Sequence, residues 1–239
     1  MAEQRLQRVL AAAGVASRRK CEDLILEGAV CVNGKRVQKI PTFVDPEKDI
    51  ITVNGKKIRA AGKVYFLLNK PKGVICTNSD PLGRKKAIDI IPARERIFCV
   101  GRLDAETTGL IILTNDNDLA NRLTHARFEV PKTYVARVKG QIQPAHIEKL
   151  KRGIWLAEGK TAGVAVSVLK RGYEESLIEI TIRQSLNRQA RRMLAKVGLS
   201  VKSLMRTRIG KLNDRGIGVG KFRTLTKVEV AYLKKITAD

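Results

Sequence analysis

Residues 101–116 read GRLDAETTGLIILTND. Two carboxylates, Asp104 and Glu106, stand two positions apart, directly ahead of Thr107-Thr108-Gly109 and an apolar run. Three chemistries fit that pattern. A D-x-E pair can hold divalent cations for phosphodiester cleavage, provided further oxygen ligands join it. A single carboxylate at the mouth of a buried strand can act as a nucleophile or accept a proton. An Asp in a loop can also simply satisfy a turn. The other reactive side chains add little. Cys21, Cys31, Cys76 and Cys99 are scattered with no CxxC pair, and His125 and His146 lie far from them in sequence. Neither a zinc site nor a disulfide framework is expected, only free thiols in a reducing compartment.

Charge narrows the field. The 239 residues carry 47 Lys and Arg against 23 Asp and Glu, a net of +24. Such an excess repels itself unless a polyanion is near, and nucleic acid is the commonest one. The hydrophobic content of 44% allows an ordinary core, in one large domain or two smaller ones. No apolar run reaches 18 residues, and the opening MAEQRLQRVL lacks a signal-peptide core. A cytoplasmic, non-membrane protein is expected, as a monomer.

The elements that position these residues show in the periodicity. Leu6, Val9, Leu10 and Ala13 share a helical face that Gly14 can end; Ser17 can cap a second helix that Gly28 closes. AVCVNGKRV and ITVNGKKI then read as hairpins turning at Asn33-Gly34 and Asn54-Gly55. Two helices plus short strands make a small basic unit over residues 1–60, and 59–64 (RAAGKV) reads as a linker. Beyond it, YFLLNK, GVICT, GLIILTN, KTYVARVKG, ESLIEITIRQ and SVKSLMRTRIG read as strands. DLANRLTHA, PAHIEKLKRGI and NRQARRMLAKVG read as helices. There is no regular βαβ rhythm, so residues 64–239 are expected to form an α+β domain, with a mixed, largely antiparallel sheet flanked by helices.

Two resemblances join these observations. RLQRVLAAAGVASRRKCEDLILEGAVCVNGKRV resembles the S4 RNA-binding domain, with Ser17-Arg18, Gly28 and Val32-Asn33-Gly34 at the family's spacings. It implies that the helical pair meets structured RNA, through Arg5, Ser17, Arg18, Arg19 and Lys35. VGRLDAETTGLIILTND resembles the central motif of pseudouridine synthases of the RsuA-type branch. YFLLNKPKGVICT, LTHARFEVPKTYVARVKG, NRQARRM and RTRIGKL match further blocks in the same order.

That resemblance implies conversion of uridine to its C-glycoside isomer in ribosomal RNA, large-subunit RNA or an assembly intermediate being the implied partner. No redox change or hydrolysis occurs, so no cofactor or metal is implied. Asp104 takes the catalytic carboxylate's place, Tyr134 the active-site tyrosine's, and Arg191 that of the arginine expected to pair with Asp104. A carboxylate in a closed pocket stays ionised only beside a cation. Arg102 is implied in access to the flipped base; Arg188, Arg192 and Lys70 in RNA contact. Lys72 is expected at phosphate or solvent, Leu103 and Trp155 in packing, and Glu106 outside the catalytic constellation. The chain departs from the family pattern at Gln184-Ser185-Leu186, Ala190 and Ala126. Two alternatives stand beside this reading. One is a catalytically silent RNA-binding or ribosome-assembly factor. The other is an exonuclease of the DEDD type, for which neither the H-x-x-x-x-D nor the Y-x-x-x-D motif is present.

Overall fold

A computed structural model of the chain describes residues 3–59, 61–184 and 186–238. The chain forms two compact units, one running up to Val64 and including Ala93–Arg96, the other made of Tyr65–Pro92 and the chain from Ile97 onward. The two units meet in the chain between Val64 and Tyr65, and Ala60 lies outside the described residues.

In the first unit α1 (Leu6–Ala12) and α2 (Arg18–Leu26) bury Leu6, Leu10, Cys21 and Ile25 against Val30, Val44 and Ile51. Ser17 caps α2, its hydroxyl accepting the Lys20 N–H at 3.2 Å. Strands β1 (Val30–Val32), β2 (Lys35–Val37), β3 (Ile51–Val53) and β4 (Lys56–Lys57) pair in the order β2-β1-β3-β4. Both Asn-Gly turns place two successive residues in the left-handed region (φ +50° and +78° at Asn33-Gly34, +48° and +75° at Asn54-Gly55). That twist suits a two-residue hairpin.

The second unit is built on one nine-stranded sheet. Its strands are β5 (Tyr65–Lys70), β6 (Phe98–Cys99), β7 (Thr107–Thr114), β8 (Lys132–Lys139), β11 (Ala165–Lys170), β12 (Glu175–Ile182), β13 (Val201–Ile209), β14 (Leu212–Asn213) and β15 (Phe222–Thr224). The main path runs β11-β12-β8-β13-β7-β5-β15, with β14 on β13 and β6 on β7. A separate hairpin joins β9 (Trp155–Leu156) to β10 (Gly159–Lys160). The helices are α3 (Asn117–Thr124), α4 (Pro144–Arg152), α5 (Gln189–Lys196) and α6 (Lys227–Lys235).

Strand alternation does what the sequence requires. Along β12 every second side chain is buried, so Ile178, Ile180 and Ile182 meet Leu150 of α4 and Met193 and Leu194 of α5. A second core lies under the other half of the sheet, where Leu67, Leu110 and Ile112 meet Leu119 and Leu123 of α3 and Leu233 of α6. The sheet is thus α+β and largely antiparallel. Its parallel pairing among the described strands is β7 with β13.

That junction depends on Gly109. A Cβ there would lie 2.2 Å from the Arg206 carbonyl oxygen and 2.6 Å from its nitrogen, and φ is +99°. Neither obstacle is a flexible side-chain end. Gly109→Ala is therefore expected to lower stability by about 3 kcal/mol, combining overpacking with backbone strain. Thermal melting should fall by roughly 6–12 °C for a unit of this size; an unchanged melt would show that the two strands can separate without cost.

Two expectations are corrected here. GVICT is not a strand: residues 73–77 form a loop with one isolated bridge, Ile75 to Lys86. Trp155 does not pack; it stands 70% exposed.

Candidate active site

Sheet register gathers the site. Tyr134 on β8 sits opposite Arg206 on β13, and Arg206 opposite Gly109 on β7. Directly paired residues on antiparallel strands share a face, and the Arg206 guanidinium carbon lies 6.0 Å from the Tyr134 ring centroid. Asp104 lies in the turn that feeds β7, its carbonyl accepting the Thr107 N–H at 3.0 Å. The N-terminal end of α5 closes the other side. Together these elements enclose a cavity of about 410 Å³, lined by Arg102, Asp104, Lys132, Tyr134, Arg188, Arg191 and Arg206 among others.

The carboxylate of Asp104 is one-third exposed and takes a 2.8 Å ion-paired hydrogen bond from Nη1 of Arg188. The expected pairing with Arg191 is not the one formed. Arg191 instead sends Nη2 to the Glu106 carbonyl at 3.3 Å and the Thr107 hydroxyl at 3.4 Å. The reason lies in the backbone. Arg188 precedes α5 in a left-handed conformation (φ +47°), which aims its side chain across the cavity mouth. Arg191, inside the first turn of α5, faces the start of β7. A non-glycine residue in that region is strained, by about 1–2 kcal/mol, and such strain is typical of functional sites. Arg191 is nonetheless close enough to feel the site: burial and the Arg188 charge pull its guanidinium down from the usual range, while Asp104 and Glu106 oppose them.

Below the Asp104 turn lies a buried cation. Lys70 is fully buried, and its ammonium donates to the carbonyls of Val74 (2.6 Å), Pro71 (3.0 Å) and Ala105 (3.4 Å). Burial pulls it below the ordinary lysine range. Lys70 therefore does not reach RNA; it fastens the residue following Asp104 to the loop after β5. Cys76 supports the same turn, its Sγ accepting the Leu103 N–H at 3.4 Å. A hydrogen bond from Cys99 draws the Cys76 thiol below its usual range, and burial opposes it.

Two pocket residues escaped the motif reading. Arg206 is 3% exposed and gives Nε to the Leu110 carbonyl at 2.6 Å, but its Nη2 has no partner among the described residues. Lys132 lines the same cavity, and burial, reinforced by the Arg206 charge, draws its ammonium down to about 8. Both lie in matched blocks, KTY and RTRIG, but each strand carries other bases as well, so the sequence alone does not single these two out.

The remaining candidates fall into groups. Arg102 is exposed at the cavity rim. Arg192 grips Glu158 with both guanidinium nitrogens and also reaches the Asn187 carbonyl at 3.1 Å. In the first unit Arg5, Arg18, Arg19 and Lys35 are exposed, and Ser17 is committed to its cap. The first turn of α2 contains no acid among these bases. Positive charge there opposes the helix dipole and favours an external anion. Glu106 pairs with Lys72 at 3.0 Å, so the two carboxylates of the D-x-E motif bind separate cations. Among the described residues no group of three or more His, Cys, Asp or Glu converges as the exonuclease alternative needs. At the departures from the family pattern, Gln184 accepts from the Gln189 amide (3.1 Å) and the Ala162 N–H (3.1 Å), while Ser185 lies outside the described residues.

Comparison with known proteins agrees with this geometry. The family model for RNA pseudouridylate synthase matches residues 64–196, and the S4 domain model matches residues 4–51. The chain is similar to the ribosomal large subunit pseudouridine synthase B of Bacillus subtilis (strain 168), with 47% identity over 98% of this chain and 96% of that one. It is 40% identical to an uncharacterized RNA pseudouridine synthase of Aquifex aeolicus (strain VF5), over 98% and 95% of the two chains. Among solved structures, a crystal structure of a pseudouridylate synthase superposes with a TM-score of 0.70 at 26% identity, covering 96% of this chain and 99% of that one. With a lone ion-paired aspartate facing a tyrosine across one cavity, and an S4 domain ahead of it, the chain belongs to the RNA pseudouridylate synthase family.

Proposed function

We propose that this chain isomerises a specific uridine of large-subunit ribosomal RNA, working as a monomer in the cytoplasm. The reading rests on one observation: a single cavity holds Asp104, its guanidinium partner and Tyr134. The N1–C1′ bond of the uridine breaks, the base turns while held, and a C5–C1′ bond forms. C5 gives up its proton and N1 gains one, so the product is an isomer. Asp104 acts as nucleophile or accepts the ribose 2′ proton. Tyr134 stacks on the flipped base and holds it flat during the turn. Arg206 and Lys132 line the cavity as fixed cations, and such charges in a water-poor site favour the negative charge that the detached base carries. Arg188 ion-pairs with the Asp104 carboxylate and fixes its position, and Arg191 holds the backbone beside it. Arg102 stabilises the flipped-out conformation at the rim, and the first unit grips RNA through Arg5, Arg18, Arg19 and Lys35.

The direct test maps pseudouridine in large-subunit rRNA by carbodiimide-dependent reverse-transcription stops, with and without the gene. Loss of one stop, restored by the wild-type chain, supports the proposal; an unchanged pattern refutes it.

Lys132 gives the pH dependence a sign. Its folded value near 8 lies below the ordinary lysine value, so above pH 8 the folded chain sheds a proton that the unfolded chain keeps. Stability should therefore rise with pH across that window, while activity should fall as the ammonium is lost. Single-turnover rates between pH 7 and 9.5 are expected to decline several-fold. Lys132→Arg, which keeps its charge, should remove most of the decline.

A further inference from the structure

The only tryptophan of the chain is exposed, at a place the isomerase chemistry does not use. Trp155 lies on the β9–β10 hairpin, across a shallow depression of about 710 Å³ from the outer half of α5. Leu156, Ala157 and Ala195 make its apolar walls, and Lys196 stands at its edge. The hairpin is stapled to α5 by the two-pronged Arg192–Glu158 pair, which holds the Glu158 carboxyl down to about 2. The acid at this spot is therefore already neutralised by Arg192. Lys196 has no carboxylate partner among the described residues.

The position relative to the cavity matters as much as the composition. Arg192 and Lys196, four apart, share one face of α5, and Arg188 stands just ahead of the helix. Arg188 holds Asp104 at one end, Arg192 also touches the Asn187 carbonyl at the cavity wall, and Lys196 reaches the Trp155 depression. Arg192 and Lys196 are about 6 Å apart along the helix axis. An unpaired strand leaving the cavity past this side of α5 would bring a base one or two nucleotides from the target onto the indole.

We infer that Trp155, with Lys196 beside it, is a stacking subsite for an unpaired nucleobase of the substrate RNA flanking the target uridine. Every base has a flat face for an indole, so stacking tolerates sequence, while the neighbouring cation takes the phosphate. The occupant follows from charge. Lys196 stands at the depression without a carboxylate partner among the described residues, the Glu158 charge there is offset by Arg192, and the chain carries +24 overall. The inference rests on the RNA-modifying reading of the cavity but concerns a different set of side chains.

Because Trp155 is the sole tryptophan, its fluorescence reports on the subsite directly. The full chain is titrated with a transcript of large-subunit rRNA and, separately, with heparin, which supplies the charge without bases. RNA should quench most of the Trp155 emission and shield it from acrylamide; heparin should do neither. Trp155→Ala should raise the RNA Kd and the KM for tritium release about tenfold, within the range that stacking spans, and Trp155→Phe should recover most of the loss. Melting of both variants should match wild type, since the indole is on the surface. Absent quenching, equal quenching by heparin, or an unchanged Kd for Trp155→Ala would overturn the subsite. A chain whose emission is quenched by RNA but that releases no tritium would support the subsite and refute the isomerase reading, so the two can fail separately.

Discussion

Asp104→Asn is expected to abolish tritium release from RNA labelled at uridine C5, to below about one-thousandth of the wild-type rate, the upper part of what a positioned acid–base or nucleophilic group supplies. Asparagine keeps the volume and one oxygen for Arg188, so the α5 contact weakens without a cavity forming. What disappears is the charge. Affinity for RNA should not suffer with it: the substitution removes a negative charge from a chain that already carries +24, so filter-binding Kd should stay within a few-fold of wild type or tighten. The loss belongs in kcat, with KM nearly unchanged. A variant that releases tritium like the parent would remove the catalytic assignment and leave only an RNA-binding protein.

Lys70→Met is expected to cost far more activity than stability. Methionine fills the same channel and removes a buried charge that is costly to desolvate. Against that gain stand carbonyls of Pro71, Val74 and Ala105 left without their donor. The two effects partly offset, for a net loss of about 1–2 kcal/mol and a melting shift of only a few degrees. Ala105, however, is the residue after Asp104. Releasing its carbonyl lets the turn move, and a misplacement near 1 Å costs about a hundredfold in rate. A lysine that merely touched phosphate would behave differently. Its loss would weaken binding, lower the salt slope by about one, and spare kcat. Measuring KM, kcat and the salt slope on one variant separates the two roles.

The contrast between those roles shows how far the sequence reaches. Local rules worked where the cause was local. Asn33-Gly34 and Asn54-Gly55 can take the left-handed turn unaided, and Ser17 caps the helix that follows it. The alternation in β8 and β12 placed the core. Errors came where distant groups decide. GVICT has strand composition, but the Val74 carbonyl goes to Lys70 rather than to a neighbouring strand. Lys70 looked like a surface base because nothing in YFLLNK indicates that three carbonyls converge on its ammonium. NRQARRM does reach Asp104, yet through Arg188 rather than the expected Arg191, with the backbone left-handed at Arg188. Arg206 and Lys132 join the pocket only through strand register, which places Tyr134 opposite Arg206 across the sheet.

Gly109 has a consequence for how such a chain could acquire a different target. On the central strand β7 it offers no side chain opposite Arg206, and the two backbones already touch there. A side chain at that position is blocked sterically. Selection for a new RNA site has the rim to act on, at Arg102, Gln184 and the Trp155 hairpin, leaving the reacting centre as it is. Chemistry and address are thus written on separate parts of the molecule, and one can drift without the other.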